Sequence, residues 1–515
     1  MNRALEQGHF QPSCCEPSLP QASTSPQAAL EELHLMPRAW DTLIYVPSIA
    51  LGPLTRRYLI GLDYFQERNY YFARALGDQK KQIVFVLSEE IQDDLLHAHV
   101  ELLRRIFSIP ADPVTNLHVL KVEQRPGVSL SAALLGDAAG ISKLRSLIHG
   151  RNSGLDFWTI GPDEIALANA LSLPHIGMPA KLAGADGKAD AKRIFKQVGA
   201  RTPQDFGVFF DIKSIWRHLK ANGFPSAGTL LLKLNHEEGG NGIARLRLDA
   251  GFETRESLRT AITVDKPYID FSEFEEEMSA QGALVEIFLA DDIIASPSAK
   301  MWIDEDGNVS CLATHDQILR DSMYLGCRFP ADSSYRKQVR QTALVIGREC
   351  AQEGWRGIVS VDFLVTSSPD DARETELWAI EINARKCATT HPYFWTRTLT
   401  GAALDAENDM LHVDGRPLVY QSAEYVASPL LAEISGESVL RMIEDAGLGY
   451  DPQSKEGVLV HMLSCARAHR KIGVTAISAH HHTADGYIRA VQRLITAPGH
   501  VVESNSIPPI CEART

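Results

Sequence analysis

Several signals that would mark a membrane, secreted or nucleic-acid-binding protein are absent from this chain. No apolar run approaches the length of about 20 residues that crosses a bilayer. The eight cysteines show no metal-site or disulfide spacing, and only Cys14 and Cys15 are adjacent. The formal net charge is −14, and the basic residues are scattered rather than clustered in a stripe. We therefore expect a cytoplasmic protein without a membrane or nucleic-acid partner.

The composition is that of a globular protein with more than one domain. A chain of 515 residues is too long for a single core, and its hydrophobic content of 44% and charged content of 23% are ordinary. Residues 1–37 are rich in Pro, Ser, Gln and Ala and lack the apolar stretch of a signal peptide. We expect residues 1–37 to form a disordered leader and residues 498–515 a loose tail.

Short apolar runs alternate with helical patterns between residues 38 and 180. The runs are Thr42–Val46, Ile83–Leu87, Leu117–Val122 and Phe157–Ile160, and the helical patterns cover Leu62–Leu76, Ile91–Phe107 and Asp163–Leu171. This alternation predicts a parallel α/β domain. The Gly-x-Gly-x-x-Gly fingerprint is missing after the first predicted strand, so the sequence does not favour an NAD or nucleotide-sugar enzyme.

Oxygen-bearing side chains follow one another on two predicted strands of the next region, residues 181–400. The apolar run Gly357–Val365 carries one acid, Asp362, and the run Glu376–Asn383 carries Glu381 and Asn383, two residues apart and so on one face. Burying a lone carboxylate is costly, whereas two acids and an amide suit a hard cation such as Mg²⁺ that brings phosphate oxygens. Edge-strand acids facing water are the alternative interpretation.

Two cationic side chains in the same region could hold phosphate. Arg385, expected one strand position beyond Asn383 on the same face, could donate a forked pair of hydrogen bonds. Lys233 lies near the end of the apolar run Thr229–Asn235, and a Gly-rich turn leads from there into a second run, Gly242–Leu248. The glycines would let backbone N–H groups approach phosphate oxygens. An ordinary hairpin turn would look the same on its own.

Two further segments are ambiguous in isolation. Lys188 follows Ala185-Asp-Gly, but Ala189 replaces the Ser or Thr of a P-loop, so Lys188 could be an ordinary surface lysine. The apolar run Leu284–Leu289 ends near Asp291 and Asp292. Such a strand end could offer backbone groups to an adenine and a carboxylate to a ribose, or it could be a plain core strand.

The order and spacing of these motifs resemble the ATP-grasp superfamily over residues 181–400. The resemblance implies that Lys188 and Lys233 bind the nucleotide and that Arg385 contacts phosphate. It implies that two Mg²⁺ ions are bound by Asp362, Glu381 and Asn383. The implied lid, adenine-hinge and ribose contacts are Gly239, Gly240, Asn241, Gly242, Glu286, Phe288, Leu289 and Asp292.

A narrower likeness links the chain to the pheganomycin-type peptide ligases. The similar segments are Ser296–Ser298, Thr314–Gln317, Gly326–Ala331 and Thr389–Pro392. This likeness implies an α/β (α+β) fold: a parallel α/β pre-ATP-grasp domain at 38–180, an ATP-grasp domain of two α+β subdomains at 181–400, and a small C-terminal α/β domain at 415–497. In the last of these, strands are expected at Gly457–Ser464 and Gly473–Ser478 and a helix at Ala484–Ile495.

The activity implied by the resemblance is ATP-dependent ligation of a carboxylate to an amine, forming a peptide or amide bond. It would proceed through an acyl phosphate with release of ADP and phosphate, in peptide or natural-product biosynthesis, on small amino acid or peptide substrates. A thiol or another nucleophile as acceptor is one alternative, and a regulatory ATP-binding protein without turnover is another. Dimerisation is common among similar ligases, so a homodimer is compatible with the sequence.

Two histidines near these motifs are further candidates for catalytic groups beside Arg385 and Lys233. His391, six residues after Arg385, is predicted to contact the substrate or the acyl phosphate. For His315 a site role and a structural hydrogen bond are equally compatible with the sequence. Cys387 is interpreted as a packing residue, and the run 480–482, three histidines, as a solvated loop.

Overall fold

The computed structural model describes residues 36–107, 116–223, 228–248, 254–289, 293–320, 322–367 and 375–496. The strands are β1 Thr42–Val46, β2 Gln82–Ser88, β3 Leu117–Val122, β4 Ser153–Phe157, β5 His175–Ile176, β6 Asp205–Phe209, β7 Thr229–Leu234, β8 Ile243–Arg247, β9 Ile262–Val264, β10 Ala283–Ile287, β11 Ile293–Ala295, β12 Pro297–Ile303, β13 Val309–Arg320, β14 Met323–Phe329, β15 Gly357–Ser367, β16 Thr375–Asn383, β17 Ala403–Asp405, β18 Met410–Val413, β19 Arg416–Ala427, β20 Gly457–His461 and β21 Lys471–Ser478.

The described ranges also contain α-helices and 3₁₀ segments. The α-helices are α1 Pro53–Tyr58, α2 Asp94–Phe107, α3 Leu130–Gly136, α4 Ala138–Ile148, α5 Pro162–Leu171, α6 Lys188–Gln197, α7 Ile212–Asn222, α8 Arg255–Thr260, α9 Phe271–Gln281, α10 Arg336–Gln352, α11 Thr390–Thr400, α12 Gly436–Asp445, α13 Cys465–His469 and α14 His481–Leu494. The 3₁₀ segments are Leu62–Gly77, Ala180–Leu182 and Pro429–Ala432. None of the helices in the described ranges is both long enough and apolar enough to cross a bilayer.

The first sheet is parallel and has the strand order β3-β2-β1-β4-β5. Its central strands β1 and β2 are fully buried along their whole length, as expected for a parallel sheet covered by helices on both faces. The chain proceeds from β1 through β2 to β3 on one side and then returns to place β4 on the other side of β1. The strand order therefore reverses between β1 and β4, which creates a crevice at the carboxyl ends of these strands.

The second sheet is antiparallel and has the order β6-β10-β7-β8-β9. Strands β7 and β8 form the predicted hairpin, with Lys233 opposite Ile243. Gly239 and Gly240 in its turn have φ angles of +61° and +77°, which glycine adopts without steric cost. The hairpin carries one lysine into the space next to the third sheet.

The third sheet continues from β11 through β15, β12, β13, β14 and β19 to β18 and β17. Strand β16 pairs with β15, and β21 joins β19 to β20. Strands from the predicted C-terminal domain thus extend the same sheet that carries Asp362, instead of forming a separate sheet. The predicted α/β fold class is confirmed.

A shared hydrophobic core joins the first sheet to the third. The ring of Tyr71, in the first 3₁₀ segment, stacks on Phe394 of α11 at 5.2 Å between centroids. Next to it, the indole Nε1 of Trp395 donates a hydrogen bond of 3.0 Å to the backbone oxygen of Arg68. Because α11 begins five residues after Arg385, this core fixes that segment against the 3₁₀ segment Leu62–Gly77.

Three local expectations were wrong. A strand was predicted at Phe157–Ile160, but the observed strand β4 covers Ser153–Phe157. Gly154, which packs against the ring of Trp40, weakens the apolar pattern of β4 in the sequence. The predicted helix Leu62–Leu76 is a 3₁₀ segment interrupted at Asn69. The predicted histidine loop at 480–482 is the start of α14, whose N-cap is residue 480.

Candidate functional site

Lys188, one of the two predicted nucleotide lysines, lies beside an acid of the third sheet. Helix α6 begins at Lys188, and its N-terminus is fixed by Asn235, which accepts hydrogen bonds from the backbone nitrogens of Lys188 at 3.1 Å and Ala189 at 2.9 Å. The Lys188 ammonium donates to the backbone oxygen of Glu237 and lies 3.6 Å from Oε1 of Glu381. The start of α6, the turn between β7 and β8, and strand β16 therefore meet at Lys188.

Glu286 is clamped between two lysines. Lys233 Nζ lies 2.9 Å from Glu286 Oε1, and Lys192 Nζ lies 2.7 Å from Glu286 Oε2. All three side chains are buried. Burial would raise the pKa of Glu286, but the two ammonium groups lower it below its ordinary value. The Glu286 carboxylate consequently stays charged and offsets part of the positive charge of Lys192 and Lys233.

Lys192 was missed at the level of the sequence. It lies four residues after Lys188 on α6, so the two lysines share a helix face. Its ammonium group also donates hydrogen bonds to Thr202 Oγ1 at 2.7 Å and to the backbone oxygen of Pro203 at 2.8 Å. The i, i+4 spacing was the available signal.

Asp362 and Glu381 face each other across the β15–β16 pair. Their Cα atoms are register partners, and the register shifts immediately beyond Asp362. Gln317 Nε2 donates to Asp362 Oδ1 at 3.1 Å, and Asn383 Nδ2 donates to Oδ2 at 3.0 Å. Burial and the neighbouring Glu381 charge raise the pKa of Asp362 to about 7. Burial also acts to raise the pKa of Glu381, but Lys188 and Lys233 lower it overall.

These side chains fit a hard cation. Two carboxylates and an amide offer oxygen donors, and a cation between the carboxylates would relieve the repulsion that raises the pKa of Asp362. In the part of the chain that the structure describes, no group of three or more His, Cys, Asp or Glu side chains could hold a metal ion alone. Phosphate oxygens from a bound nucleotide would complete the coordination.

Arg385 lies just beyond the strand rather than in it. Strand β16 ends at Asn383, so the expected continuation of the strand to Arg385 was wrong. The guanidinium nitrogens lie 3.7 Å from Asp186 Oδ2 and 3.6 Å from Glu238 Oε1. Both distances exceed hydrogen-bond range, so these carboxylates hold the guanidinium by charge without occupying its donors. A planar anion could accept hydrogen bonds from these guanidinium N–H groups.

The Gly-rich turn is anchored to helix α1. The Glu237 carboxylate accepts hydrogen bonds from the backbone nitrogens of Leu54 at 3.1 Å and Thr55 at 2.8 Å, at the first turn of α1. The predicted lid residues 239–242 follow directly, and the Asn241 amide oxygen accepts a 2.9 Å hydrogen bond from Tyr268. The turn thus links the second sheet to helix α1.

The predicted adenine hinge lies at the end of β10. Glu286 is in the strand, whereas Phe288 and Leu289 follow its last residue, Ile287, and are half-buried. The guanidinium of Arg245 stacks over the Phe288 ring at 4.4 Å. The predicted ribose contact, Asp292, lies outside the described residues.

The structure does not bring His391 together with the lysines and Arg385. The His391 side chain is fully buried in α11, where Nε2 lies 3.1 Å from Glu424 Oε1. Burial lowers the pKa of His391 to about 4, so the imidazole is neutral at pH 7. His315 is buried as well, with Nε2 at 2.6 Å from the Tyr420 hydroxyl, which is the structural role weighed for it.

Cys387 packs against a buried lysine that the sequence did not reveal. Its Sγ lies 3.1 Å from Lys300 Nζ, which also donates to Ser360 Oγ at 3.1 Å and Thr390 Oγ1 at 2.9 Å. Burial would raise the pKa of the thiol, but Lys300 and the hydroxyl groups around it lower it to about 6. Lys300 thus holds the segment after Arg385 against β15.

Sequence models of two families match parts of the chain. A family described as IQCH-like, ATP-grasp matches residues 255–406. A family described as PGM1 C-terminal domain matches residues 438–491. The first match contains Asp362, Glu381 and Arg385, and the second falls within the segment predicted as the C-terminal domain.

Curated relatives match over most of the chain. The L-propargylglycine–L-glutamate ligase of Streptantibioticus cattleyicolor is 30% identical over 452 residues, which cover 85% of this chain and 90% of the relative. The chain therefore belongs to the family of ATP-grasp ligases, and it is a ligase that forms carbon–nitrogen bonds, as the sequence predicted. IQ motif-containing protein H of Danio rerio is 21% identical over 504 residues, covering 85% of this chain but 46% of that protein.

Solved structures share the fold at low sequence identity. Biotin carboxylase from Campylobacter jejuni superposes with a TM-score of 0.54 at 14% identity, covering 88% of this chain and 90% of that one. The biotin carboxylase domain of the Hydrogenobacter thermophilus 2-oxoglutarate carboxylase has a TM-score of 0.52 at 14% identity, with the same coverage. These similarities confirm the ATP-grasp architecture.

Proposed function

We propose that this chain joins the carboxylate of one amino acid or short peptide to the amine of another, with ATP as the source of energy. The observation that carries the proposal is the position of Glu381, which lies 3.6 Å from Lys188 and whose pKa is lowered by Lys188, Lys233 and Arg385. The name of the Streptantibioticus relative states that it joins L-propargylglycine to L-glutamate. Amino acid substrates are therefore the first class to test.

The proposed reaction has two steps. A carboxylate oxygen of the first substrate attacks the γ-phosphorus, forming an acyl phosphate while ADP leaves. The amine of the second substrate then attacks the acyl carbon, forming the amide while phosphate leaves. Phosphoryl transfer depends mainly on positioning and charge neutralisation, which Lys188, Lys233 and Arg385 would supply.

Asp362, Glu381 and Asn383 would hold two Mg²⁺ ions together with the phosphates. When bound, these ions would offset the charge on the phosphate oxygens. Glu381, whose pKa lies below its ordinary value, is the charged acid ready to receive a cation. Asp362 would lose its proton on binding, since its pKa of about 7 reflects burial and repulsion by Glu381.

The first domain would keep water from the acyl phosphate. Glu237 fastens the Gly-rich turn to the first turn of α1, so the lid has a docking point on residues 38–180. Exclusion of water matters because an acyl phosphate hydrolyses readily.

We extend the proposal to a cytoplasmic location and a homodimer; the Hydrogenobacter thermophilus domain was solved as a dimer.

The test is carboxylate-dependent formation of ADP and hydroxamate. The full chain is incubated with ATP, Mg²⁺, hydroxylamine and pooled amino acids and peptides, and Glu381→Gln serves as the inactive control. ADP together with a hydroxamate supports the proposal, and subdivision of the pool then identifies the carboxylate. AMP in place of ADP would overturn the mechanism. ATP binding without turnover would favour the regulatory alternative, and product formation only with thiols would favour the non-amine acceptor.

A further inference from the structure

A cavity of about 460 Å³ lies at the crevice where the strand order of the first sheet reverses. Its walls come from the loop after β1, including Leu51, and from the loop after β4 with the start of α5, including Gly161. This volume lies within the range of about 300–1,000 Å³ typical of small-molecule sites. Carboxyl ends of parallel strands at such a reversal are where open α/β sheets bind ligands.

The cavity borders one of the groups predicted to bind phosphate. Arg385, Asp186 and Glu238 all belong to its lining. Ile160, Met178 and Leu182 add apolar surface. A molecule in the cavity would therefore place one end beside Arg385 and pack its remaining atoms on apolar side chains.

Asp186 Oδ2 lies 3.7 Å from Arg385, and Glu238 is the second carboxylate of the lining beside that guanidinium. Its Oε2 accepts a 3.2 Å hydrogen bond from the backbone nitrogen of Gly52, and its Oε1 lies 3.6 Å from Arg385. Its side chain keeps 20% of its surface exposed. Glu237, its neighbour, has both oxygens taken by the backbone of α1, so the two adjacent acids have different roles.

We infer that this cavity binds the amino acid that supplies the attacking amine, and that Glu238 takes a proton from its ammonium group. The inference rests on the proposed ligase function and goes beyond it, because it assigns the acceptor site and the general base. The ammonium group would approach Glu238 next to Arg385, where the acyl phosphate is expected.

The proton balance of the step is complete. The ammonium group gives one proton to the Glu238 carboxylate and becomes a neutral amine. Its lone pair forms the C–N bond to the acyl carbon, and the C–O bond to phosphate breaks with its electron pair. The second proton of the nitrogen leaves with the departing phosphate or to water. No oxidant, reductant or further reactant is required.

The surroundings of Glu238 suit this task. Burial raises the pKa of Glu238 to about 7, against the opposing effects of Arg385, Lys188 and the Gly52 N–H, while Glu237 adds to the rise. A base is most effective when its pKa lies near the working pH. The shift supports a role that the cavity and the distances already indicate.

The experiment compares two nucleophiles with the Glu238→Gln variant of the full chain. Hydroxylamine is neutral at pH 7 and needs no base, whereas standard L-amino acids arrive as ammonium ions. We expect the variant to form hydroxamate at nearly the unmodified rate but amide about a hundredfold more slowly. The deficit should shrink as rising pH deprotonates the amine. Glu276→Gln, which changes an exposed acid on α9, is the control and should leave the pH profile of amide formation unchanged.

Several outcomes would overturn the inference. Amide formation by Glu238→Gln at the unmodified rate would remove Glu238 as the base, and equal loss of hydroxamate and amide would place it in the nucleotide site. Leu51→Trp, which narrows the cavity, tests the site independently: it should raise KM for the amine and spare hydroxamate formation. An unchanged KM would refute the cavity assignment. Absence of hydroxamate from the unmodified chain would instead refute the proposed function.

Discussion

Asp362 and Glu381 stand directly opposite each other on adjacent antiparallel strands, with their Cα atoms in register. Opposed side chains in such a pair share one face of the sheet. Two carboxylates at this spacing repel each other, and together with burial this raises the pKa of Asp362 to about 7. The arrangement is unfavourable until a cation lies between them.

Removing either acid should therefore lower the Mg²⁺-dependent activity, whereas removing Asp362 should raise the stability of the metal-free chain. We expect Glu381→Gln or Asp362→Asn to reduce Mg²⁺-dependent ADP formation by about a hundredfold or more, because the cation loses a charged ligand. In Mg²⁺-free buffer at pH 8, Asp362→Asn should unfold at a higher temperature than the unmodified chain, because repulsion is removed. ADP assays and thermal denaturation check both points. Normal turnover by both variants would show that the metal assignment is wrong.

Lys192 should strengthen nucleotide binding through Glu286. Without it, Glu286 would pair with Lys233 alone and offset more of the charge available for phosphate. We expect Lys192→Ala to weaken ATP binding by about tenfold, or about 1.4 kcal/mol, as measured by titration calorimetry. Lys196 is a matched control, because it lies on the same helix and its side chain is 59% exposed. Equal effects of the two substitutions would contradict the assignment.

Glu237 should couple lid closure to product formation. Glu237→Ala removes the carboxylate that accepts from the backbone of Leu54 and Thr55, so the turn would lose its dock on α1. We expect ADP release to exceed amide formation in this variant, because water would reach the acyl phosphate. Loss of this cap should also lower the free energy of unfolding by about 1–2 kcal/mol. A ratio of ADP to amide that stays at one would argue against a lid role.

The buried carboxyl group of Glu67 should make the stability of the folded chain depend on pH. Burial raises its pKa from 4.5 to about 7, although the Ser464 hydroxyl and N–H donate hydrogen bonds to it. The folded chain thus binds this proton more tightly than the unfolded chain, so stability falls as pH rises from about 4.5 to 7. Glu67→Gln should abolish this contribution, up to about 3 kcal/mol. The two chains should be compared by denaturant unfolding at pH 5 and 8. A stability difference independent of pH would contradict the prediction.

The sequence predicted the elements with strong local patterns. Strands β1 and β3 have the predicted bounds, and the β7–β8 hairpin lies where the Gly-rich turn indicated. Glu381 and Asn383 lie two residues apart at the end of β16 and so share one face of the strand, as the sequence predicted. The register shift just before them was not predicted, because a bulge depends on the partner strand.

Contacts between distant segments were beyond sequence reasoning. Nothing near His391 in the chain indicates that Glu424 lies beside it, so its burial could not be foreseen. Strand β19 pairs with β14, although residues 330–415 separate the two strands in the sequence, and this separation hid the continuity of the third sheet. Lys192 was visible by spacing, but its partner Glu286 lies on a strand of the neighbouring sheet.

The core shared by the first and third sheets limits how this enzyme could be recombined with its relatives. Tyr71 stacks on Phe394, and the Trp395 indole is bound to the backbone of Arg68. A chimera that exchanged residues 38–180 alone would bring a foreign surface against α11, the helix that begins five residues after Arg385. Successful grafts should therefore transfer residues 38–180 and α11 together.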